Sequence, residues 1–199
     1  MHPAEEFQIV TSTLAVWQAY EPSVKCDLSC CARRFGNDLV FIDPIPLAKD
    51  ALAELTADAT PVAIVLTNAN HARAAAEFRD RFSIPILAHA AAAAELGVAI
   101  ERPLAEGDLA LGHLDVIEIA GAPPGEIALH AGGIAHVGDA LINLEPMGFT
   151  TLPEKYCSDA REMRRALGKL LRFEFELLTF AHGLPLVSQA RRRLENLLA

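Results

Sequence analysis

The chain lacks the long apolar segments that a membrane protein needs. No run of apolar residues approaches the roughly 20 residues that cross a bilayer as a helix. The first residues, MHPAEEFQIV, also lack the basic region and the apolar stretch of a secretory signal. We therefore expect a cytoplasmic protein that has no membrane partner.

Cysteine is scarce, and its spacing does not indicate a metal site. The 4 cysteines form no CxxC or zinc-finger pattern. Cys30 and Cys31 are adjacent, so on a strand they would point to opposite faces and a bridge between them would be strained. We expect reduced thiols, as in a cytoplasm. We interpret Cys30 and Cys31 as buried strand residues rather than nucleophiles, because no basic setting that would lower a thiol pKa is visible around them.

Basic residues are also fewer than acidic ones, with 17 Lys and Arg against 26 Asp and Glu. The formal net charge is -9 at pH 7, whereas non-specific nucleic-acid binding needs a basic surface that displaces counterions. No GxGxxG, GxxxxGK[ST] or GxSxG motif occurs, so nothing indicates a dinucleotide, a nucleoside triphosphate or a hydrolase serine. A small molecule remains as the expected partner. The apolar N-terminal strands, which include Trp17, could also pack against a second copy in a homodimer.

What the chain does contain is a regular series of short strands and helices. Its 199 residues are enough for one domain, residues 1–199, with a buried core. Runs of β-branched and aromatic residues predict strands, and 3.6-residue apolar spacing predicts helices. The predicted strands are 7–10, 14–20, 25–33, 39–42, 62–66, 86–88, 109–111, 114–119, 126–130, 134–137 and 177–180, and the predicted helices are 46–55, 71–81, 90–96, 158–173 and 185–198.

The order of these elements favours one architecture. A strand-rich start, two strand–helix units, a second strand-rich stretch and a helix–strand–helix end fit two mixed β-sheets packed face to face, with helices outside. The predicted fold is therefore a four-layer αββα sandwich of the α+β class. A doubly wound sheet would also fit the alternation of strands and helices.

Residues 65–73, VLTNANHAR, form the most informative segment of the chain. A strand that ends in a polar loop before a helix is a common position for a ligand site in α/β proteins. The segment resembles the metal-binding loop of the metallo-β-lactamase superfamily, which reads Thr-His-x-His-x-Asp-His. Aligned on Thr67, the family's four ligands fall on Asn68, Asn70, Ala72 and Arg73.

Four further motifs occur in the family's order, so that about residues 9–198 resemble the superfamily. LVFIDP contains Asp43, whose family counterpart lies behind the ligand loop and orients it. GAPPG is similar to the turn Gly-His-Thr-Pro-Gly and has Ala122 in place of a ligand histidine. VGDA supplies Asp139 at the position of the bridging aspartate, and FAHGLP supplies His182 at that of the last histidine.

The resemblance implies a hydrolase that uses one or two metal ions, but most of the ligands are replaced. Only Asp139 and His182 remain, and the amide oxygens of Asn68 and Asn70 suit zinc poorly. We therefore expect no tightly bound metal. Arg73 would supply the missing positive charge by pairing with Asp139. With His182 and the two asparagines it would bind a small anionic molecule, in a non-classical or inactive member of the family.

His71 provides an alternative. The family has no ligand at this position, but a shifted loop would bring His71 toward Asp139 and His182. Two histidines and one carboxylate form the kind of site that binds a single Zn, Fe or Mn ion. These three residues would then be catalytic, and the resemblance implies small esters, thioesters or lactones as substrates. The sequence thus leaves open whether the protein is an enzyme.

Overall fold

The computed structural model describes residues 2–199, whose strands form two sheets and a separate hairpin. The strands of the larger sheet are β1 (Gln8–Thr11), β2 (Leu14–Glu21), β3 (Cys26–Phe35), β4 (Asp38–Ile42), β5 (Thr60–Leu66), β6 (Ile86–His89) and β7 (Arg102–Leu104). They lie side by side in chain order. Pairing is antiparallel from β1 to β4 and parallel from β4 to β7, so this sheet is mixed.

The second sheet is built from the later part of the chain. The remaining strands are β8 (Leu109–Ala110), β9 (Leu114–Glu118), β10 (Ile127–Ala131), β11 (Ile134–Val137), β12 (Leu141–Leu144), β13 (Gly148–Thr151) and β14 (Leu177–Phe180). Five of them pair in the order β14-β11-β10-β9-β8, and β12 and β13 form the hairpin. Only the β11–β14 pair within this sheet is parallel, which makes the second sheet mixed as well.

Helices cover the outer face of each sheet. The helices are α1 (Lys49–Leu55), α2 (Ala75–Phe82), α3 (Ala160–Leu167) and α4 (Ala190–Leu198). Buried residues of α1 and α2 pack with the first sheet, and those of α3 and α4 pack with the second. A third apolar cluster lies between the sheets. The predicted four-layer αββα fold is confirmed. Within residues 2–199, none of the helices has the length and apolar character needed to span a bilayer.

Strand β4 contributes side chains to two of the three apolar clusters. In β4, Leu39 and Phe41 belong to the cluster under α1 and α2, whereas Val40 and Ile42 belong to the cluster between the sheets. Successive side chains of a strand point to opposite faces, so both faces are buried. A strand buried on both faces has a continuous apolar run rather than an alternating pattern. This places β4 and its neighbour β5 at the centre of the molecule.

The predicted alanine-rich helix over residues 90–96 is wrong. Only Ala90–Ala92 form a short 3-10 turn, and the Nδ1 atom of His89 accepts a hydrogen bond of 3.2 Å from a main-chain N–H of that turn. Ala92 lies so close to Gly125 that a Cβ atom added to Gly125 would be 2.7 Å from the Ala92 Cβ. Tertiary packing here overrides the high helix propensity of alanine.

Other differences concern element boundaries and short strands. Helices α1, α2 and α4 begin later than predicted, at Lys49, Ala75 and Ala190. The predicted helix 158–173 is α3 followed by a 3-10 segment, and Asp159 rather than Ser158 caps it by accepting two main-chain N–H groups. Strands β7, β12 and β13 were not predicted, because polar residues and prolines interrupt their apolar pattern.

Gly121 provides a test of the packing between α3 and the second sheet. Its φ angle is +85°, and an added Cβ would lie 2.3 Å from the Asp159 carbonyl oxygen and 2.5 Å from the Met163 nitrogen. Gly133 also has a positive φ, of +78°, but has open space around it. Both alanine variants suffer backbone strain, but only Gly121→Ala must also displace α3. We expect Gly121→Ala to lower the free energy of unfolding by about 1–3 kcal/mol more than Gly133→Ala. Urea denaturation measures this difference, and equal losses would contradict the packing described here.

Candidate functional site

All predicted site residues except Ala122 lie at the carboxyl ends of four strands. Asp43 follows β4, residues 67–73 follow β5, Asp139 follows β11 and His182 follows β14. Strands β4 and β5 are parallel, as are β11 and β14, so each pair ends at one edge of its sheet. Such an edge is a common position for a ligand site. The two sheets therefore contribute side chains to one location.

Asp139 is the centre of this site. One carboxylate oxygen lies 3.1 Å from His71 Nε2 and 3.1 Å from His182 Nε2. The other accepts hydrogen bonds from the side-chain amides of Asn68, at 3.0 Å, and Asn70, at 3.3 Å. Burial by itself would raise the pKa of Asp139, but the charge on His71 and the hydrogen bonds from both histidines outweigh burial and hold this pKa well below its usual range. Asp139 is therefore an ionised carboxylate.

His71 is held between two carboxylates. Its Nδ1 atom lies 2.9 Å from Asp43 Oδ2, on the side opposite to Asp139. Burial and the nearby Arg73 lower the pKa of His71, but Asp43 and Asp139 raise it further, to about 9. In the metal-free protein at neutral pH, His71 is thus an imidazolium that donates from both ring nitrogens.

Asp43 orients the loop after β5, in the position that the sequence predicted. Its two oxygens accept hydrogen bonds from Thr67, one from the main-chain nitrogen at 2.8 Å and one from the hydroxyl at 2.5 Å. Burial would raise the pKa of Asp43, whereas His71 and Thr67 lower it, and the net shift is downward. The loop is therefore anchored at its first residue by an ionised side chain from the neighbouring strand.

Glu126 is a site residue that the sequence analysis missed. One oxygen accepts a hydrogen bond of 2.6 Å from Asn68, and the other accepts one of 3.0 Å from the Ala140 main-chain nitrogen. Burial and the nearby Asp139 raise the pKa of Glu126 to about 8, so its carboxyl group is mostly neutral at pH 7. Gly138 makes this packing feasible, because a Cβ there would lie 2.9 Å from Glu126 Oε1. No local motif identifies Glu126.

The predicted pairing of Arg73 with Asp139 is wrong. Arg73 has a positive φ, of 33°, and its guanidinium donates hydrogen bonds to three main-chain carbonyl oxygens instead. These are the oxygens of Ser29 at 2.9 Å, Ala181 at 3.3 Å and Asp43 at 3.4 Å. The planar group with five donors suits such carbonyls at converging strand ends. Arg73 thus connects the loop after β5 to β3 and to the end of β14.

Ala122 contributes no polar atom to the site. It is buried in the apolar cluster of the second sheet, with Met163 of α3. Ala122, which aligns with the ligand histidine of the family's Gly-His-Thr-Pro-Gly turn, therefore packs against a helix instead of facing the site.

Three side chains can hold a metal ion. One ligand atom from each of His71, Asp139 and His182 lies within 4.8 Å of the other two. This is the two-histidine, one-carboxylate set that the sequence analysis considered.

Cys26 is a second residue that the sequence analysis missed. Its sulfur lies 3.5 Å from Nδ1 of His182, the ring nitrogen that faces away from Asp139. Burial raises the pKa of the Cys26 thiol, as do Asp27 and Asp139, while Arg73 opposes the shift. The residue borders a cleft of about 430 Å³. Only proximity in the fold reveals this contact, because the two residues are far apart in the chain.

A second polar cluster is buried between the sheets and involves the other cysteines. Cys30 and Cys31 are buried, as predicted. The Cys31 sulfur lies 3.2 Å from Nδ1 of His136, and Arg33 contacts Nε2 of the same ring at 3.2 Å. His136 also contacts the Thr179 hydroxyl. Burial, reinforced by Arg33, lowers the pKa of His136 well below its usual range, so this ring is neutral.

The neutral state of His136 makes stability depend on pH. An unfolded histidine titrates near pH 6.5, so below about that pH the unfolded chain binds a proton that the folded chain does not. The contribution of this group to the free energy of unfolding therefore falls with decreasing pH, by at most about 1.4 kcal/mol per pH unit. His71 and Glu126, whose pKa values are raised to about 9 and about 8, contribute in the opposite direction. Urea denaturation between about pH 7.5 and pH 5.5 should show that the stability of His136→Gln, relative to that of the wild type, increases as the pH falls, because the variant lacks this contribution. The exposed-residue variant His2→Gln should keep the wild-type slope, and an unchanged slope in His136→Gln would contradict this origin.

Comparisons with known proteins agree with this geometry. The fold is similar to the crystal structure of the DIM-1 metallo-β-lactamase, with a TM-score of 0.77 and 14% identity over 98% of this chain and 97% of that chain. It is equally similar to the mono-zinc form of the FIM-1 metallo-β-lactamase from Pseudomonas aeruginosa, with a TM-score of 0.77 and 16% identity over 100% and 94% of the two chains. VMB-1 gives a TM-score of 0.78 and 13% identity, over 100% and 98%. A comparison with curated proteins finds no match.

The family assignment rests on the sequence as well as on the fold. The family model described as the metallo-beta-lactamase superfamily matches residues 9–199, which include every site residue described above. The structural similarity, at low sequence identity, supports the same fold independently. The chain belongs to the metallo-β-lactamase superfamily.

Proposed function

We propose that this protein is a hydrolase of small esters, thioesters or lactones that uses a single metal ion bound by His71, Asp139 and His182. The proposal is based on the geometry of the three ligand atoms. Both imidazole rings direct Nε2 at the same carboxylate, and the three ligand atoms lie within 4.8 Å of one another. The site thus differs from the family's usual ligand set, since His71 occupies a position that has no ligand in the family's motif.

The residues present fit one ion. Two histidines and one carboxylate are a known donor set for iron and suit zinc or manganese, and three protein ligands leave coordination positions open. Asp43 supports His71 in the way that carboxylates commonly orient metal-binding histidines, by accepting a hydrogen bond from Nδ1–H. Asn68 and Asn70 hold the second oxygen of Asp139 and so fix the rotation of its carboxylate.

When bound, a metal ion would act as a Lewis acid on a substrate carbonyl and would make water nucleophilic near neutral pH. The chain's own residues prepare the site for it. His71 would release its Nε2 proton to bind the ion. Its Nδ1 would keep its proton and continue to donate a hydrogen bond to Asp43. Neutral Glu126 adds no further negative charge beside Asp139.

The alternative prediction, a small anionic ligand, has weaker support from the geometry. It relied on Arg73 as the positive charge of the pocket, and the Arg73 guanidinium is bound to main-chain carbonyls. The carboxylates of Asp43 and Asp139 lie in the same site and repel an anion. A cation is the better match to the charge that these residues present.

Metal content tests the proposal. Elemental analysis of protein purified without added metal or chelator should find about one Zn, Fe or Mn ion per chain. His71→Gln and His182→Gln each remove a ligand and should abolish stoichiometric binding. Asp43→Asn should weaken metal affinity by about 10–100-fold, because it removes the group that orients His71. Addition of the metal to chelated protein should raise the steady-state rate of ester hydrolysis in the wild type but not in His71→Gln.

The matched control is His136→Gln, which removes a buried histidine outside the site and should leave metal binding at the wild-type level. A wild-type chain that takes up none of these three metals, even when they are added, would overturn the proposal. So would a His71→Gln variant that binds metal as tightly as the wild type.

A further inference from the structure

The two ring nitrogens of His182 face two different partners. Nε2 lies 3.1 Å from Asp139 Oδ1, and Nδ1 lies 3.5 Å from the sulfur of Cys26. The three residues come from distant parts of the chain: β3, the loop after β11 and the turn after β14. A thiol, an imidazole and a carboxylate therefore form a continuous chain of contacts.

The carboxylate decides which nitrogen of His182 carries the proton. An ionised carboxylate only accepts hydrogen bonds, so Nε2 must be the donor toward Asp139. In the neutral ring, the lone pair is then on Nδ1 and faces the Cys26 thiol. The same relation holds in nucleophile–base–carboxylate triads, in which the carboxylate fixes the tautomer and orientation of the base.

A cleft lies beside the thiol and is suited to an apolar group. It has a volume of about 430 Å³ and is lined by Cys26 and the main chain at Gly183. Its apolar lining residues include Tyr20, Met147 and Leu184, which are each more than half exposed, and its charged ones are Lys25, Asp27 and Glu145. Large exposed apolar side chains that surround a cavity are typical of ligand-binding grooves.

We propose that, in the metal-free protein, Cys26 is the nucleophile of an acyl-transfer site, with His182 as its base and Asp139 as the residue that positions the base. The substrate class is an ester or thioester with a small apolar acyl group, which the cleft would hold. This goes beyond the metal-dependent function, because it requires no metal ion.

The reaction balances with water as the only co-substrate. The Cys26 sulfur forms a bond to the carbonyl carbon while its proton passes to His182 Nδ1. The bond from that carbon to the leaving alcohol or thiol breaks, and the leaving group takes the proton. Water then attacks the new thioester, the carbon–sulfur bond breaks, and the sulfur regains a proton through His182, which releases the carboxylic acid.

Metal binding and this thiol chemistry exclude each other. An ion held by Nε2 of His182 would require the lone pair of that nitrogen, so the ring proton would be on Nδ1. The acceptor that faces Cys26 is then lost. The two functions can therefore be separated in one preparation by chelation.

The test uses the full-length chain, freed of metal by a chelator, and p-nitrophenyl acetate as the probe. We expect a burst of about one equivalent of p-nitrophenolate per chain. Peptide mass spectrometry should find the acetyl group on Cys26. Cys26→Ala should abolish the burst, and His182→Gln should slow it by about 100-fold or more, which is the typical contribution of a general base.

Cys157→Ser is the matched control, since Cys157 is another partly buried thiol but has no histidine partner among its described contacts. It should react like the wild type, and circular dichroism checks that each variant is folded. Acetylation of other residues with Cys26 unmodified would overturn the proposal, as would equal rates in His182→Gln and the wild type. Elemental analysis of the same protein before chelation reports the proposed metal site separately, so either proposal can fail alone.

Discussion

The hydrogen bonds to one buried carboxylate, Asp139, determine how four strand ends are arranged. An unpaired carboxylate in such a buried position would cost several kcal/mol, so the side chain must have partners. Those partners come from the loop after β5, which carries Asn68, Asn70 and His71, and from the turn after β14, which carries His182. Because the two elements belong to different sheets, Asp139 connects the two halves of the sandwich.

His71, rather than Arg73, supplies the positive charge that pairs with Asp139. Asp43 and Asp139 are ionised and flank the His71 imidazolium, while Glu126 is mostly neutral at pH 7. One positive group thus lies directly between the two negative ones. Arg73 is left to satisfy the carbonyl oxygens of converging strand ends, which also need donors when they are buried.

Strand–helix order and apolar patterning favoured the sandwich, because strands such as β4 are buried on both faces and carry a continuous apolar run at residues 39–42. The same order also fits a doubly wound sheet, so the resemblance to the superfamily was needed to separate the two. The motif positions placed Asp43, Asp139 and His182 at strand ends that do converge. Cys26 and Glu126 were not predicted, because their roles come from contacts between segments that are distant in the chain. The partners of Arg73 depend on a positive φ angle, which no composition or spacing rule indicates for arginine.

Two positions that align with ligands of the family contribute polar groups to this site. Asn68 and Asn70 no longer offer imidazoles, but their amide groups donate to the carboxylate that remains. That carboxylate, in turn, fixes the tautomer of His182, whose other nitrogen faces Cys26. The proposed metal ion and the proposed thiol chemistry would therefore require different protonation states of the same imidazole ring. Whether Nε2 holds a proton or an ion would then determine which of the two proposed reactions can occur.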